Sequence, residues 1–362
     1  MGLKTLKVHQ FRNLHSVDIL PDAGLNLVIG ENAAGKTSLL ESIFYLSYGR
    51  SFRSSQIKHL ISNDAQLFRL ITELDDNTTR LGIERTVAEQ KIRVNHESIT
   101  RLSELSKLIP VIALHPDSHQ LISSGPEYRR QFLDWGVFHV EHQFLNSWKK
   151  YRKALSQRNA ALRSMQDNKM CSLWNNELIE HAEFIHSLRL SYLELIISKV
   201  NQLSTTLFPA HEIRFNYKCG WPADTPYSQH LVDTLDRDRE KGYTQSGPHR
   251  ADIKITVDGQ SAQSSISRGQ QKKLVCLLKI AQLSLFSEQS NRRCVLLFDD
   301  LPAELDQDNQ NRIMSILSKL DIQLFISAIE ATQINTLDWN QHKVFHVEHG
   351  MVKEKEMKNS EE

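Results

Sequence analysis

The segment Gly30-Glu-Asn-Ala-Ala-Gly35-Lys36-Thr37 constrains this chain more than any other. It fits the spacing GxxxxGK[ST]. It stands between a short apolar stretch, Leu25–Ile29, and residues 37–48, in which Leu39, Leu40, Ile43 and Phe44 recur at helical spacing. A strand, a glycine-rich turn and a helix in that order form a cradle for phosphate. Gly30 and Gly35 let the backbone turn its N–H groups inward, and the dipole of the following helix adds positive potential. Lys36 would reach the β- and γ-phosphates, and the Thr37 hydroxyl would hold Mg2+. Glu31, Asn32, Ala33 and Ala34 complete the loop. Alone, the loop says only nucleoside triphosphate. It does not separate a small-molecule kinase from a transport motor or a DNA-repair ATPase.

Two further segments narrow the field. Residues 294–298 are wholly apolar and end in Asp299-Asp300, the pattern of a buried parallel strand delivering carboxylates to its carboxyl end. Asp299 would take the magnesium side, and Asp300 would orient the attacking water. Upstream, Ser267-Arg-Gly-Gln-Gln-Lys272 opens a helix whose Leu274, Leu277, Leu278, Ala281 and Leu285 form one apolar stripe. Ser267 and Gln270 have capping-box spacing, and a helix start carrying Ser267 and Gly269 suits an anion. The order of phosphate loop, Ser-x-Gly-Gln helix, acidic strand and Ala303-Glu-Leu-Asp306 is the layout of ABC-type ATPases. In that class the signature of one head caps the γ-phosphate held by another. Simple nucleoside kinases have no such second motif.

The expected fold is therefore α/β: an ABC-ATPase head, a P-loop NTPase, assembled from both ends of the chain, with a helical insert as a second lobe. The head is expected at 1–126 and 209–352. The lobe is expected at 127–208, with a polar break at 166–169, and a charged disordered tail at 353–362. Strands are expected at 3–11, 25–29, 67–74, 79–85, 91–95, 213–217, 251–257, 294–298 and 323–328, with a hairpin turn at Asp258-Gly259. With 362 residues, 40% of them hydrophobic, the chain can bury such a core. Its net charge of +1 means that any nucleic-acid surface must be local. The four cysteines contain no CxxC pair and suit a reducing compartment. The sequence shows neither a signal peptide nor a membrane span, so a cytoplasmic location with no membrane partner is expected.

Longer strings carry a specific resemblance. Gly49-Arg-Ser-Phe-Arg53, Arg129-Arg-Gln-Phe-Leu-Asp-Trp-Gly136, Gln157-Arg-Asn-Ala160, Ser246-Gly-Pro-His-Arg-Ala-Asp252, the Ser267 signature and Asp299-Asp-Leu-Pro-Ala-Glu-Leu-Asp306 run in order over most of the chain. Together they resemble the RecF family, whose heads are similar to those of structural-maintenance-of-chromosomes proteins. The resemblance implies ATP and Mg2+ as cofactors and an ATP-dependent homodimer. It implies binding to single- and double-stranded DNA, and slow, DNA-stimulated hydrolysis. It also implies a role in recombinational gap repair and replication-fork recovery, helping RecA onto single-stranded DNA with RecR and RecO. Three features depart from the usual pattern. Ala33 stands where glycine is frequent, no switch histidine follows residues 325–329, and Asp300 is one carbon shorter than the usual glutamate. The missing histidine counts against a transport motor. An insert of this length cannot supply the heptad arms of a chromosome-organising ATPase. The intact Lys36, Thr37, Asp299 and Asp300 count against a catalytically dead interaction protein.

Lys149, Lys150, Arg152, Lys153, Arg158 and Arg163 lie in a stretch with no acid, with Trp148 and Tyr151 interleaved. Lys149, Lys150, Arg152 and Lys153 are the first candidates for DNA backbone contact, equally readable as a solvated helix face. Arg50, Arg53 and Arg250 are further candidates, for DNA, nucleotide or a second subunit. The tetrads His139-Val-Glu-His142 and His346-Val-Glu-His349, and the pair His115 and His119, invite a metal reading. No third ligand accompanies any of them, so no metal beyond Mg2+ with ATP is expected.

Overall fold

The computed structural model describes residues 2–164, 171–209, 211–290 and 292–355. The chain forms two compact units, one from residues 1–118 and 287–362, the other from residues 119–286.

In the first unit, the apolar runs β3 (Leu25–Ile29), β12 (Cys294–Phe298) and β13 (Ile322–Ala328) are buried at every position. Strands covered on both faces require such runs. They lie inside a six-stranded sheet with β8 (Val111–Leu114), β14 (His342–Glu348) and β15 (Met351–Glu354), in the order β15-β14-β3-β13-β12-β8. All pairings are parallel except that of β14 with β15. Parallel strands bring their carboxyl ends to one edge, where α/β sheets bind ligands. Gly30 follows β3 there, and Asp299 and Asp300 follow β12.

A second, antiparallel sheet alternates inward and outward side chains. It contains β1 (Leu3–Phe11), β2 (Leu14–Ile19), β4 (Leu67–Leu74), β5 (Arg80–Thr86), β6 (Gln90–Val94) and β7 (Glu97–Ile99), ordered β2-β1-β4-β5-β6-β7. Its inward Leu6, Val8, Phe11, Phe68, Leu70, Leu81 and Ile83 share one core with Leu39, Leu40, Ile43 and Leu46 of the helix Lys36–Tyr48. Burying each such side chain contributes roughly 1.5–3 kcal/mol. The helix that follows the phosphate loop is thus fixed by packing. Buried Gln323 of β13 bonds both the N–H and the carbonyl of Leu3, at 2.7 and 2.8 Å, which ties the start of β1 to the parallel sheet.

The second unit packs the helices Pro126–Val140, Phe144–Arg163 and Asn175–Leu207 with a three-stranded antiparallel sheet. Its strands are β9 (Ile213–Lys218), β10 (Asp252–Val257) and β11 (Gln260–Ser261). Asp258 and Gly259 have φ of 51° and 78° and close the β10–β11 hairpin at the expected turn. The first and third helices approach closely at Gly136, where a Cβ would lie 2.0 Å from the Tyr192 ring.

The units divide the chain differently from the expected boundaries at 127 and 208. The string Ser246–Asp252 explains why residues 209–286 belong with the helices. Pro248 O accepts from Arg189 at 2.7 Å, Ala251 O accepts from Arg130 at 2.8 Å, and Asp252 pairs with Arg129. Gly247, at φ 126°, sits where a Cβ would meet the hydroxyls of Tyr151 and Tyr227 at 2.4 and 2.6 Å. Strands β2, β8, β14 and β15 were not among the sequence expectations. Strand β15 carries regular structure to Glu354, beyond the expected start of the tail. Residues 356–362 of that tail, and the break at 166–169, lie outside the described residues.

Candidate phosphate-binding site

The loop between β3 and the helix Lys36–Tyr48 has the geometry its glycines suggest. Gly30 takes φ 148°, and a Cβ there would lie 2.2 Å from the Val347 carbonyl oxygen. Gly35 takes φ 124°. Ala33 occupies the left-handed region at φ 65°, a conformation costing an L-residue roughly 1–2 kcal/mol. Its carbonyl accepts a hydrogen bond from Asn13 Nδ2 at 3.2 Å, and Asn13 Oδ1 accepts one from Ser38 at 2.7 Å. Asn13 therefore braces the loop from the β1–β2 turn. Gly350 N donates to Ala34 O at 3.1 Å, so the β14–β15 turn braces it as well. Glu31, Asn32 and Ala33 are exposed.

Lys36 Nζ folds back on its own loop, donating to Gly30 O at 2.7 Å and Glu31 O at 2.9 Å. Burial lowers its pKa, while Asp300 and Asp299 act to raise it. The Thr37 hydroxyl donates to Asp299, 2.9 Å from Oδ1 and 3.1 Å from Oδ2. Octahedral Mg2+ holds its oxygens at 2.0–2.1 Å, which places adjacent ligands roughly 3 Å apart. The Thr37 and Asp299 oxygens already have that separation, so the pair fits a magnesium ion. Burial raises the Asp299 pKa. Hydrogen bonds from Ser327 and Thr37 oppose the shift, Asp300 adds to it, and Arg53 opposes it.

Ser327 of β13 was missed by motif reading. It donates to Asp299 Oδ1 at 2.8 Å and accepts from the Asp300 N–H at 2.8 Å. Asp300 itself adopts the left-handed conformation, φ 59° and ψ 52°, at the N-cap of the short helix Leu301–Glu304. The only sequence sign of Ser327 is a hydroxyl in a buried strand whose one other polar residue is Gln323, and the same pinning holds both carboxylate residues.

In the second unit, Ser267 N donates to Gln270 Oε1 at 3.0 Å and Gln270 N donates to Ser267 Oγ at 3.2 Å, a reciprocal capping box. Ser267, Arg268 and Gly269 are exposed, which leaves this helix start open to an anion.

The basic helix divides into two sets. Lys149, Lys150, Arg152, Lys153 and Arg163 are exposed. Arg158 is fully buried and pairs with buried Asp238 at 2.8 Å, so it leaves the DNA candidates. Trp148 and Tyr151 are packing residues rather than base-stacking ones. Trp148 lies under the Arg189 guanidinium, and buried Tyr151 bonds His249 at 2.5 Å. Arg50 lies over the Tyr48 ring at 6.0 Å. His139 is buried among Trp135, Phe138 and Phe286, and His346 lies on β14. Among the described residues no group of three or more His, Cys, Asp or Glu could hold a metal ion, and no helix is long and apolar enough to cross a membrane.

The family profile "RecF/RecN/SMC N terminal domain" matches residues 2–353. A DNA replication and repair protein RecF from Cellvibrio japonicus is 41% identical, with 97% of this chain and 99% of that protein covered. This chain belongs to the RecF family. The RecF of Vibrio atlanticus is 37% identical over 98% of this chain and 100% of its own. A structure of the recombination mediator protein RecF with ATP, in the RecFOR pathway, superposes with a TM-score of 0.86 at 26% identity. It covers 98% of this chain and 99% of that one. The Smc head of Pyrococcus furiosus superposes with a TM-score of 0.59 at 15% identity and shares the fold. The RecF-family chain is thus an ABC-ATPase head of the kind its motif order anticipates.

Proposed function

We propose that this chain is an ATP-switched DNA-binding protein of recombinational repair, slowly hydrolysing ATP and acting with RecR and RecO to help RecA load at gaps and stalled forks. The observation that carries the reading is the convergence of Lys36, Thr37, Asp299, Ser327 and Asp300 at one sheet edge, in a chain that also bears an exposed Ser267–Gly269 helix start. Lys36 holds the terminal phosphates once it exchanges the Gly30 and Glu31 carbonyls for phosphate oxygens. The loop N–H groups and the helix start orient the chain of phosphates. Thr37 and Asp299 would hold Mg2+, which would supply positive charge beside the phosphates. Asp300 orients the attacking water. Ser267, Gly269 and Gln270 close the partner subunit's site, so ATP joins two chains and ADP does not.

Slow turnover agrees with Asp300, whose carboxyl reaches one carbon less far than glutamate. The test is DNA binding with and without ATP on duplex, single-stranded and gapped substrates, together with Asp300→Asn. The variant should keep ATP and magnesium, stop hydrolysing and stay longer on DNA. Equal retention with ATP, with ADP and without nucleotide would remove the switch.

A further inference from the structure

The signature start stands clear of the rest of its unit. Ser267, Arg268 and Gly269 are exposed. Among the described residues, and apart from its chain neighbours, a Cβ at Gly269 would meet nothing nearer than Ser267 Oγ at 3.9 Å. The capping box is internal, formed between Ser267 and Gln270. A helix end receives an anion only where its N–H groups point, so the aim of this end has to come from the segments on either side of it.

Those segments are tied to one arginine. Arg129, on the helix Pro126–Val140, is buried and divides its guanidinium between two places. Nε and Nη2 donate to the two carboxylate oxygens of Asp252, at 2.7 and 3.2 Å, and Nη1 donates to Ser124 O at 2.7 Å. Asp252 begins β10, the strand that leads through the β10–β11 hairpin toward Ser267. Ser124 follows Ser123, whose carbonyl accepts from Gln263 Nε2 at 2.9 Å. Gln263 lies just before the signature, and its own carbonyl accepts from the Nε2 of buried Gln271 at 3.3 Å. Gln271 N in turn donates to Ser267 O at 2.8 Å. A continuous path thus runs from Asp252 through Arg129, the Ser123–Ser124 carbonyls, Gln263 and Gln271 to Ser267. Further along the signature helix, buried Gln282 donates to Phe132 O at 2.7 Å, on the same helix as Arg129. A guanidinium presents its donors in a fixed planar fork, so it sets the angle between its two acceptors as well as their distance.

We infer that Arg129, acting through Gln263 and Gln271, is the positioning residue of the signature: it sets the direction in which Ser267 and Gly269 meet the γ-phosphate held by a second copy of this chain. This rests on the trans-signature reading above and names what aims it. It also gives a task to two strings that carry no phosphate chemistry of their own. The first residue of Arg129–Gly136 and the last of Ser246–Asp252 are the two members of this ion pair.

The test uses the full chain and follows ATP-dependent dimerisation by sedimentation, with ATP binding by the monomer measured alongside. Gln263→Ala breaks the path at an exposed residue, where a substitution costs little folding stability. Arg129→Gln breaks it at its centre. Both should bind ATP as wild type does. Gln263→Ala should weaken the ATP-bound homodimer about threefold to tenfold, and Arg129→Gln about tenfold to a hundredfold, the ranges for a neutral and a charged hydrogen bond. Arg129→Lys, which keeps the charge but not the fork, should lie between wild type and Arg129→Gln. The deciding arm pairs each variant with Lys36→Ala. There the one complete site joins the variant's own phosphate loop to the intact signature of the Lys36→Ala chain. That heterodimer should be as stable as the one formed by wild type with Lys36→Ala. A weaker heterodimer means that the variants have loosened the fold at large, and overturns the inference. Homodimers of both variants as tight as wild type overturn it too, while a Ser267→Arg chain that fails to dimerise in the same series keeps the trans-signature reading. If Ser267→Arg dimerises normally, the reading and the inference fall together.

Discussion

The Ser327 hydroxyl donates to Asp299 and accepts from the N–H of Asp300, each at 2.8 Å. One side chain on β13 thus fixes the acid that faces Thr37 and the backbone that presents the next acid. A hydrogen bond to a charged group contributes about 1.5–3 kcal/mol. Ser327→Ala should therefore slow ATP hydrolysis about ten- to a hundred-fold while ATP binding persists. Single-turnover kinetics would measure this, and an unchanged rate would mean that Asp299 is held well enough by Thr37 alone.

Lys36→Ala removes the one cation folded into the phosphate loop. ATP binding should be lost, and ATP-dependent DNA retention with it. Retention equal to wild type in a filter or anisotropy assay would displace Lys36 from the role assigned to it.

The exposed signature makes a prediction about pairs of chains. Ser267→Arg places bulk and a second cation where a partner's γ-phosphate should lie, next to a helix start that carries roughly half a positive charge. It should bind ATP as a monomer, fail to dimerise and lose ATP-stimulated DNA binding. Mixed with Lys36→Ala, it should form a heterodimer with one intact composite site, visible by sedimentation with ATP. Normal dimerisation of Ser267→Arg alone would end the trans-signature arrangement for this protein.

Arg158 and Asp238 are both fully buried and 2.8 Å apart. Removing one member of such a pair strands a charge and costs about 3–5 kcal/mol. Asp238→Asn should lower the urea midpoint of the second unit by a corresponding amount. Four of the five tryptophans, Trp135, Trp148, Trp174 and Trp221, lie in that unit, so fluorescence will follow it.

Burial, with Arg250, Arg152 and Arg130 nearby, lowers His249 from 6.5 to about 4, despite its bond to the Thr244 carbonyl. A depressed pKa means that the folded state holds this ring neutral where the unfolded chain would already bind a proton. Its contribution is complete above about pH 6.5 and is lost as pH falls toward about 4. His249→Gln should be less stable at neutral pH and show a shallower fall in melting temperature across that window. An identical pH profile would assign the acid sensitivity to other groups.

The phosphate loop, the acidic strand and the signature were legible because each is a local pattern with fixed spacing. Arg158 misled because a charge was read as solvent-facing, when Asp238, far along the chain, waits to neutralise it. The compact units were not legible at their boundaries, since what draws residues 209–286 onto the helices is a set of carbonyls in Ser246–Asp252 meeting Arg189 and Arg130. Ser327 and Asn13 carry no motif. Each acts through a partner distant in sequence, and only the sheet brings the pairs together. The second histidine tetrad proved to be the end of strand β14 and its turn, where alternation of side chains matters more than imidazole chemistry.

Strand β3, which delivers Gly30, lies between β13 and β14, and the turn after β14 donates Gly350 N to the loop itself. All of those neighbours come from the last part of the chain. During synthesis, β3 and the phosphate loop leave the ribosome early and wait without flanking strands until Gly350 has emerged. Completion of the phosphate loop is therefore a late event in the life of each molecule, and a chain truncated before β14 leaves β3 without one flanking strand and the loop without the turn that braces it.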